Sequence, residues 1–419
     1  MKTNSQLPPR AWLIVAFLWV VGGLNYLDRI MITTMHDSLV QAIPMTEAQF
    51  GLLTAMFLWV YAGISPLAGF LADRFPRSRI ITASLLVWST VTWLTGQAKT
   101  YDQLLVTRAL MGISEACFVP AALALVTDYH RGPTRSLATG LYITGGVTGS
   151  ALGGLGGWLA EHQNRWNYPF QFFGLLGIGV AVLLAFALRD VPPIGDTPSL
   201  EKCAPPKTRF GEALVSLFGE GSFILTFVFY GCVAVTTWGV TGWMPTYLSE
   251  HFHLGQGRGG LSATGYFNGS MAVGLIIGGA WADRWSRTRE RARILVPMIG
   301  LLLSLPGLLL AANSSVLAVA LAGLILFGLT RSFTDANIMP IVCLVANPRY
   351  RATGFGILNF FANAAGGLTV YAGGALRDAH IDVSDVFRGS AVMLVVCAAL
   401  LLLVKPRAAT SASTFPATE

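Results

Sequence analysis

The sequence predicts an all-α membrane protein in which twelve transmembrane helices form two six-helix halves related by pseudo-symmetry. Three observations predict this class: an apolar composition, long apolar blocks and an internal repeat. Of the 419 residues, 53% are hydrophobic and only 12% are charged. A soluble chain of this length needs more surface charge, so the composition favours immersion in lipid.

The apolar residues fall in blocks of roughly 20 or more, which is enough to cross about 30 Å of hydrocarbon. Backbone groups in lipid must bond within their own segment, so each block is expected to be a helix. The blocks contain glycine and lack period-two alternation, which argues against a β-barrel. They lie near residues 11–35, 48–71, 80–98, 101–128, 135–160, 168–188, 222–250, 260–282, 293–312, 315–346, 351–375 and 388–404.

The chain order predicts two domains and a linker. Residues 1–188 would form the first six-helix half, and residues 216–419 the second half with a short tail. The longest polar interval, 189–215, is rich in Pro and Lys and is interpreted as a linker. The first block is too long for a signal peptide and lacks a cleavage pattern, so it is expected to be retained.

The net charge of +7 is a topology signal rather than a sign of nucleic-acid binding. Of the 28 Lys and Arg residues, 20 fall on the side of the termini, five on the other side and three inside helices. Because cytoplasmic loops carry the excess of basic residues, both termini are expected in the cytoplasm, as in a bacterial inner-membrane protein.

Cysteine and histidine placement argues against a metal centre, a cofactor site or a membrane enzyme. Four of the five cysteines fall within predicted helices, and all six histidines fall in loops or at helix ends. Neither pattern provides paired metal ligands or an intramembrane catalytic histidine. We therefore expect no metal, no cofactor and no enzymatic activity.

An internal repeat relates the two halves. "GFLADRFPRSR" at 69–79 returns as "GAWADRWSRTR" at 279–289, an offset of 210 residues. "EACFVPA" in the fourth block matches "DANIMPI" in the tenth, so Glu115 and Asp335 each precede a proline by five positions. Duplicated six-helix halves are typical of transporters whose site lies between the halves.

These motifs resemble the major facilitator superfamily over essentially the whole chain, although Pro76 replaces the usual glycine of the loop signature. Within it, "NYLDR", "RALMGISEACFVPA" and "WMPTYL" resemble the anion:cation symporter family, which includes bacterial sugar-acid/proton symporters. "NYLDR" and "RALMGISEA" also resemble the Spinster-like lipid transporters. The resemblance implies a secondary carrier that works by alternating access.

Charged residues are predicted at membrane depth in three helices. Asn25, Asp28 and Arg29 share one face of the first helix by their i, i+3, i+4 spacing. Two further pairs lie in the fourth and tenth helices, namely Arg108 with Glu115 and Arg331 with Asp335. Three acids and three bases sum to zero charge, so each can find a partner, which lowers the insertion cost.

Two interpretations of this cluster remain: structural ion pairs that hold the helices together, or a proton and anion site. In the second, Asp28 and Glu115 bind the proton, and Arg108 pairs with whichever is ionised. Arg29 then takes the carboxylate of the substrate, since guanidinium matches carboxylate geometry. The resemblance to the sugar-acid symporters implies the same roles. Arg331 and Asp335 either bind substrate or form a local pair.

Further polar residues are candidates for substrate contact. Tyr61 is one, because the sugar-acid symporters have a matching tyrosine in the second helix. Asn359 and Asn363 lie four apart in helix eleven, where two amides could bind hydroxyl groups or could bond between helices.

A ridge without side chains is formed by four glycines at four-residue spacing: Gly145, Gly149, Gly153 and Gly157. Such a ridge is suited to static close packing or to a seam along which the two halves rock.

The repeated loop predicts a gate. Asp73, Arg74, Asp283 and Arg284 lie where helices meet the cytoplasm. The superfamily resemblance implies that they form a latch that is closed when the carrier faces outward. Topology determination alone explains the arginines but leaves the repeated aspartate without a reason.

The function favoured by the sequence is proton-coupled symport of a small organic anion, such as a sugar acid, by a monomer in the plasma membrane. The alternative is a Spinster-like exporter of lysolipids or other amphiphiles. The predicted cavity asparagines favour the more polar ligand.

Overall fold

The structure is a computed structural model that describes residues 10–130, 134–190, 210–289, 291–347 and 350–405. The described residues form helices and contain no strand, which confirms the all-α prediction. In order, the helices are α1 (Ala11–Met31), α2 (His36–Ala42), α3 (Glu47–Arg74), α4 (Arg77–Thr95), α5 (Tyr101–Ala116), α6 (Phe118–Tyr129), α7 (Arg135–Leu152), α8 (Leu155–His162), α9 (Tyr168–Ala187), α10 (Phe210–Phe218), α11 (Gly221–His251), α12 (Gln256–Ser286), α13 (Ala292–Asn313), α14 (Leu317–Val345), α15 (Arg351–Asp378) and α16 (Val383–Leu403).

Each predicted apolar block coincides with one helix or with two consecutive helices. Within the described residues, nine helical segments are long and apolar enough to span a membrane. We call α1–α9 the first half and α10–α16 the second half. Of the predicted linker, residues 191–209 lie outside the described part, and α10 begins at Phe210.

Two of the predicted blocks are divided for local reasons. The fourth block divides at Cys117, three residues before Pro120, whose ring would clash with the carbonyl of Ala116 in a continuous helix. The fifth divides at Gly153 and Gly154, because paired glycines readily kink a helix. The first of these breaks falls two residues after Glu115, one of the charged residues predicted at membrane depth.

The bundle has two ends. α1 begins and α16 ends at what we call the terminal end, and the loops that join α3 to α2 and α15 to α16 lie at the opposite, distal end. The distal ends of the two halves touch directly: Arg377 of α15 binds Glu47 of α3 at 2.9 Å. The halves are therefore held together at the distal end.

The glycine ridge of α7 packs against α1, within the first half. A Cβ atom at Gly149 would overlap the carbonyl oxygen of Gly23 and lie 2.6 Å from its carbonyl carbon. Cβ atoms at Gly145 and at Gly157 of α8 would likewise overlap the backbone oxygens of Trp19 in α1 and of Thr34, three residues beyond α1. The ridge thus packs closely within the first half, and at Gly157 it also meets the second half, where the Gly157 carbonyl oxygen accepts from Gln256 Nε2 at 3.2 Å. Its use as a sliding seam stays a prediction.

Candidate functional site

A cavity of ≈ 320 Å³ lies between the two halves. Its walls come from α1, α3 and α7 of the first half and from α11, α12, α14 and α15 of the second. Six of the predicted substrate-binding residues line it: Arg29, Tyr61, Arg331, Asp335, Asn359 and Asn363. The tertiary fold therefore brings together side chains that are up to 334 positions apart in the sequence.

Arg29 is held in an aromatic cage on the wall of the first half. Its guanidinium carbon lies 4.4 Å from the ring centre of Tyr61, 4.9 Å from that of Tyr26 and 5.1 Å from that of Phe57. Its Nε donates to Glu115 Oε2 at 2.7 Å, and its Nη2 has no partner within the described residues. Cation–π contacts and the ion pair fix the guanidinium while leaving it capacity to bind an anion.

Glu115, Asp28 and Arg108 form a polar layer behind the cavity wall, and all three are nearly inaccessible to solvent. Asp28 Oδ2 accepts a hydrogen bond from Thr92 at 3.3 Å, and Arg108 Nη2 donates to Thr95 at 3.5 Å. Among the described residues, no ion pair involves Arg108. Glu115 pairs with Arg29 in this conformation, and the exchange of Arg108 between Asp28 and Glu115 stays a prediction.

Asn25 shares the helix face of Asp28 and Arg29 as predicted, but it lies deeper than the cavity wall. Its side chain is fully buried, beside Glu115. It is not among the residues that line the cavity. Its role in substrate binding stays a prediction. A contact between Asn25 and substrate would require the surrounding helices to move.

Arg331 and Asp335 form an i, i+4 ion pair on the wall of the second half. Arg331 Nη2 donates to Asp335 Oδ1 at 2.8 Å. The carboxyl side chain is 27% exposed, whereas the arginine side chain is 6% exposed. The pair is local, and it also faces the cavity, so the two predicted alternatives are compatible.

The accessibility of Asp335 leads to a test of its role. Asp335→Asn is expected to weaken substrate affinity about tenfold, because Arg331 loses the carboxylate that orients its guanidinium. A purely local pair would instead leave affinity unchanged and lower only the unfolding temperature. Binding and thermal unfolding of the purified variant separate these outcomes, and Asp385→Asn, at an exposed i, i+3 pair with Arg388, is the matched control.

The predicted amides of α15 also face the cavity. Asn363 Nδ2 donates to the carbonyl oxygen of Asn359 at 2.8 Å and lies 3.3 Å from its side-chain oxygen. Both hydrogen bonds are within α15, and among the described residues neither side chain bonds to another helix. The polar wall continues on α11 with Thr237 and Thr241. Hydroxyl or carboxylate groups of a substrate could bind there.

The predicted gate is only partly described. Asp283 lies 3.6 Å from Arg293 of its own half, and Arg74 and Arg284 are exposed. The side chain of Asp73 lies outside the described residues. The latch between halves therefore stays a prediction.

Sequence reasoning missed the distal cluster of Glu47, Glu250, Arg377 and Asp378, and it missed Tyr26 and Tyr230 in the cavity wall. Tyr26 lies three residues before Arg29, so helical spacing alone could have found it. No spacing in the sequence indicates the distal cluster, because its members come from three helices and lie up to 331 positions apart.

Comparison with known proteins agrees with this architecture. A family profile described as the Major Facilitator Superfamily matches residues 18–370. Human protein spinster homolog 1 is 28% identical over 379 residues, covering 84% of this chain and 70% of that protein. An MFS-type efflux pump of Mycolicibacterium smegmatis is 27% identical over 402 residues, covering 94% and 91%.

Solved structures show the same fold. The crystal structure of a bacterial homolog to the human lysosomal transporter Spinster, inward-facing and unoccupied, superposes with a TM-score of 0.77 at 22% identity. The match covers 94% of this chain and 97% of the other. A cavity between two helical halves, the repeated loop and the profile match lead to one conclusion: the chain belongs to the Major Facilitator Superfamily and is an integral membrane transporter.

Proposed function

We propose that this transporter is a proton-coupled symporter of a small organic anion. The observation that carries the proposal is that one arginine from each half, Arg29 and Arg331, lines the same cavity, and each is paired with a carboxylate. Arg29 with Glu115 comes from the first half, and Arg331 with Asp335 comes from the second. A substrate anion that contacts both arginines would contact both halves at once.

Anion binding and proton binding are expected to be linked at these pairs. A substrate carboxylate that binds the Arg29 guanidinium would weaken the bond that Arg29 Nε donates to Glu115 and could displace Glu115. The displaced Glu115 is fully buried, and an unpaired buried carboxylate is costly unless it takes up a proton. Asp28 and Arg108 lie in the same layer, where a proton could be shared. Substrate and proton would thus enter together.

The polar part of the cavity supports a hydroxylated carboxylate such as a sugar acid. Asn359, Asn363, Thr237 and Thr241 offer donors and acceptors opposite the Arg29 wall. The excess of basic residues on the terminal side supports a cytoplasmic location for both termini, as in a plasma-membrane protein. The closed distal end would then face outward, and the carrier would be inward-facing.

A specific observation also favours the second candidate, export of a lysolipid or another amphiphile. Much of the cavity wall is aromatic or apolar, including Tyr230, Trp238, Phe267 and Met271. Such a wall suits an acyl chain, with the arginines binding an anionic headgroup. The similarity to spinster proteins points the same way.

A ligand screen separates the two candidates. Thermal unfolding of the purified transporter would be measured with sugar acids, monocarboxylates, neutral sugars and lysolipids. We expect stabilisation by a hydroxylated carboxylate, followed in proteoliposomes by uptake that an inward proton gradient accelerates. A response confined to lysolipids would overturn the sugar-acid assignment, and uptake indifferent to the gradient would overturn proton coupling.

A further inference from the structure

At the distal end, each half of the transporter supplies a carboxylate to the first backbone amides of a helix in the other half. We propose that Asp378 and Glu161 are a reciprocal pair of positioning residues that hold the distal end closed and so set the balance between the two states of alternating access. The inference uses the chain's membership of a transporter family and does not depend on the identity of the substrate or on proton coupling.

Asp378, the last residue of α15, caps α3. Its Oδ1 accepts from the backbone N–H of Glu47 and its Oδ2 from that of Ala48, both at 2.9 Å. These are the first two residues of α3, where amides have no partner within the helix. Because α15 belongs to the second half and α3 to the first, this cap exists only while the distal ends touch.

Glu161, near the end of α8, makes the reverse contact. Its Oε2 accepts from the backbone N–H of Gly257 at 2.6 Å, at the start of α12 in the second half. Glycine at position 257 permits this approach, because a Cβ atom there would lie 2.7 Å from the Cα of Trp158. A carboxylate at the start of a helix is further favoured by the helix dipole.

The two caps are related by the internal repeat. The offset of 210 residues that aligns the duplicated loops carries Glu47 onto Gly257, so the capped amides are at equivalent positions. The capping residues lie near the ends of α8 and α15, 21 and 24 positions after the equivalent "ATG" stretches at 138–140 and 352–354. Two independent positions in the chain thus provide the same contact, which supports a role beyond chance packing.

Neighbouring side chains reinforce the contact. Arg377 Nε binds Glu47 Oε2 at 2.9 Å, and its Nη2 binds Glu250 Oε1 at 2.7 Å. On the other side of Glu47, its Oε2 accepts from His36 Nε2 at 2.9 Å. Gln256 adds a second crossing through hydrogen bonds with Ser38.

His36 belongs to the same network, within the first half. The groups that face it are Asp37 of α2 and Glu47 of α3, with Arg377 of α15 beyond Glu47 and the Phe50 ring at 4.8 Å. Burial alone lowers the pKa of His36, but hydrogen bonds to Asp37 and Glu47 outweigh it and raise the pKa from 6.5 to about 9. His36 and Glu47 both belong to the first half, so their bond persists when the distal ends separate, and it fixes the Glu47 carboxylate that Arg377 binds.

The test measures the distal separation in the full chain by double electron–electron resonance. Spin labels would be placed at Lys99→Cys in the first half and Arg258→Cys in the second, both exposed, in a background without the native cysteines. We expect Asp378→Ala or Glu161→Ala to raise the population with a long distal distance about fivefold each, since a lost cap has about that effect. The double variant should combine the two effects.

Conservative variants and a control keep the test independent of folding. Asp378→Asn and Glu161→Gln retain an acceptor and should recover part of the closed population. Asp102→Asn changes an exposed acid in the first turn of α5, within one half, and should leave the distances unchanged. Unchanged distances in a well-folded Asp378→Ala, Glu161→Ala double variant would overturn the proposal.

Discussion

Replacing Glu115 with glutamine is expected to abolish proton-driven uptake while leaving substrate exchange largely intact. Glutamine has the size of glutamate and can still accept the hydrogen bond that Arg29 donates at 2.7 Å. It cannot ionise, so it cannot carry a proton between the two states of the carrier. We expect uptake driven by a pH gradient in proteoliposomes to fall by about 100-fold, within the range that removal of a proton-transfer group produces.

The control for this change is Glu212→Gln, since Glu212 is an exposed acid on α10, remote from the cavity. It should preserve both uptake and exchange. Loss of all substrate binding in Glu115→Gln would contradict the assigned role, because it would make Glu115 part of the anion site or of the fold. Uptake that still follows the proton gradient would contradict the role equally.

Gly149→Ala is expected to have the largest effect on stability. The added methyl group would overlap the carbonyl oxygen of Gly23 and lie 2.7 Å from its Cα, so α1 and α7 would have to separate. Backbone atoms cannot rotate away as a side chain can, and overpacking of this kind costs about 1–3 kcal/mol. Because α1 carries Asp28 and Arg29, the displacement should also weaken substrate binding.

Thermal unfolding in detergent measures the effect, with Gly179→Ala as its control. Gly179 lies in α9 with nothing within 4 Å of the position of a Cβ atom, so the same chemical change should be tolerated there. An unfolding temperature for Gly149→Ala equal to that of Gly179→Ala would show that the α1–α7 contact is looser than the structure indicates.

Some parts of the cavity could be predicted from spacing and others could not. Asp335 and Arg331 were predicted as a pair because four residues make slightly more than one helical turn. The partner of Glu115 was not predicted, since Arg29 lies 86 positions away and Arg108, seven positions before Glu115, was the expected partner. For Asn25, the spacing correctly predicted the face of α1 on which it lies. It did not predict that the Asn25 side chain is buried behind the cavity wall.

Composition, hydropathy and residue spacing were enough to predict the class of protein, the positions of the helices and which charged residues lie at membrane depth. These follow from local quantities: apolar length, helical spacing, proline and glycine positions, and the repeated loop. Only the tertiary structure decided which charges meet, as for Arg29 with Glu115, and which residues close the distal end, as for Asp378 on α3. The physical reason is that hydropathy and helical period act over a few turns, whereas ion pairs and helix caps between halves depend on how distant helices pack.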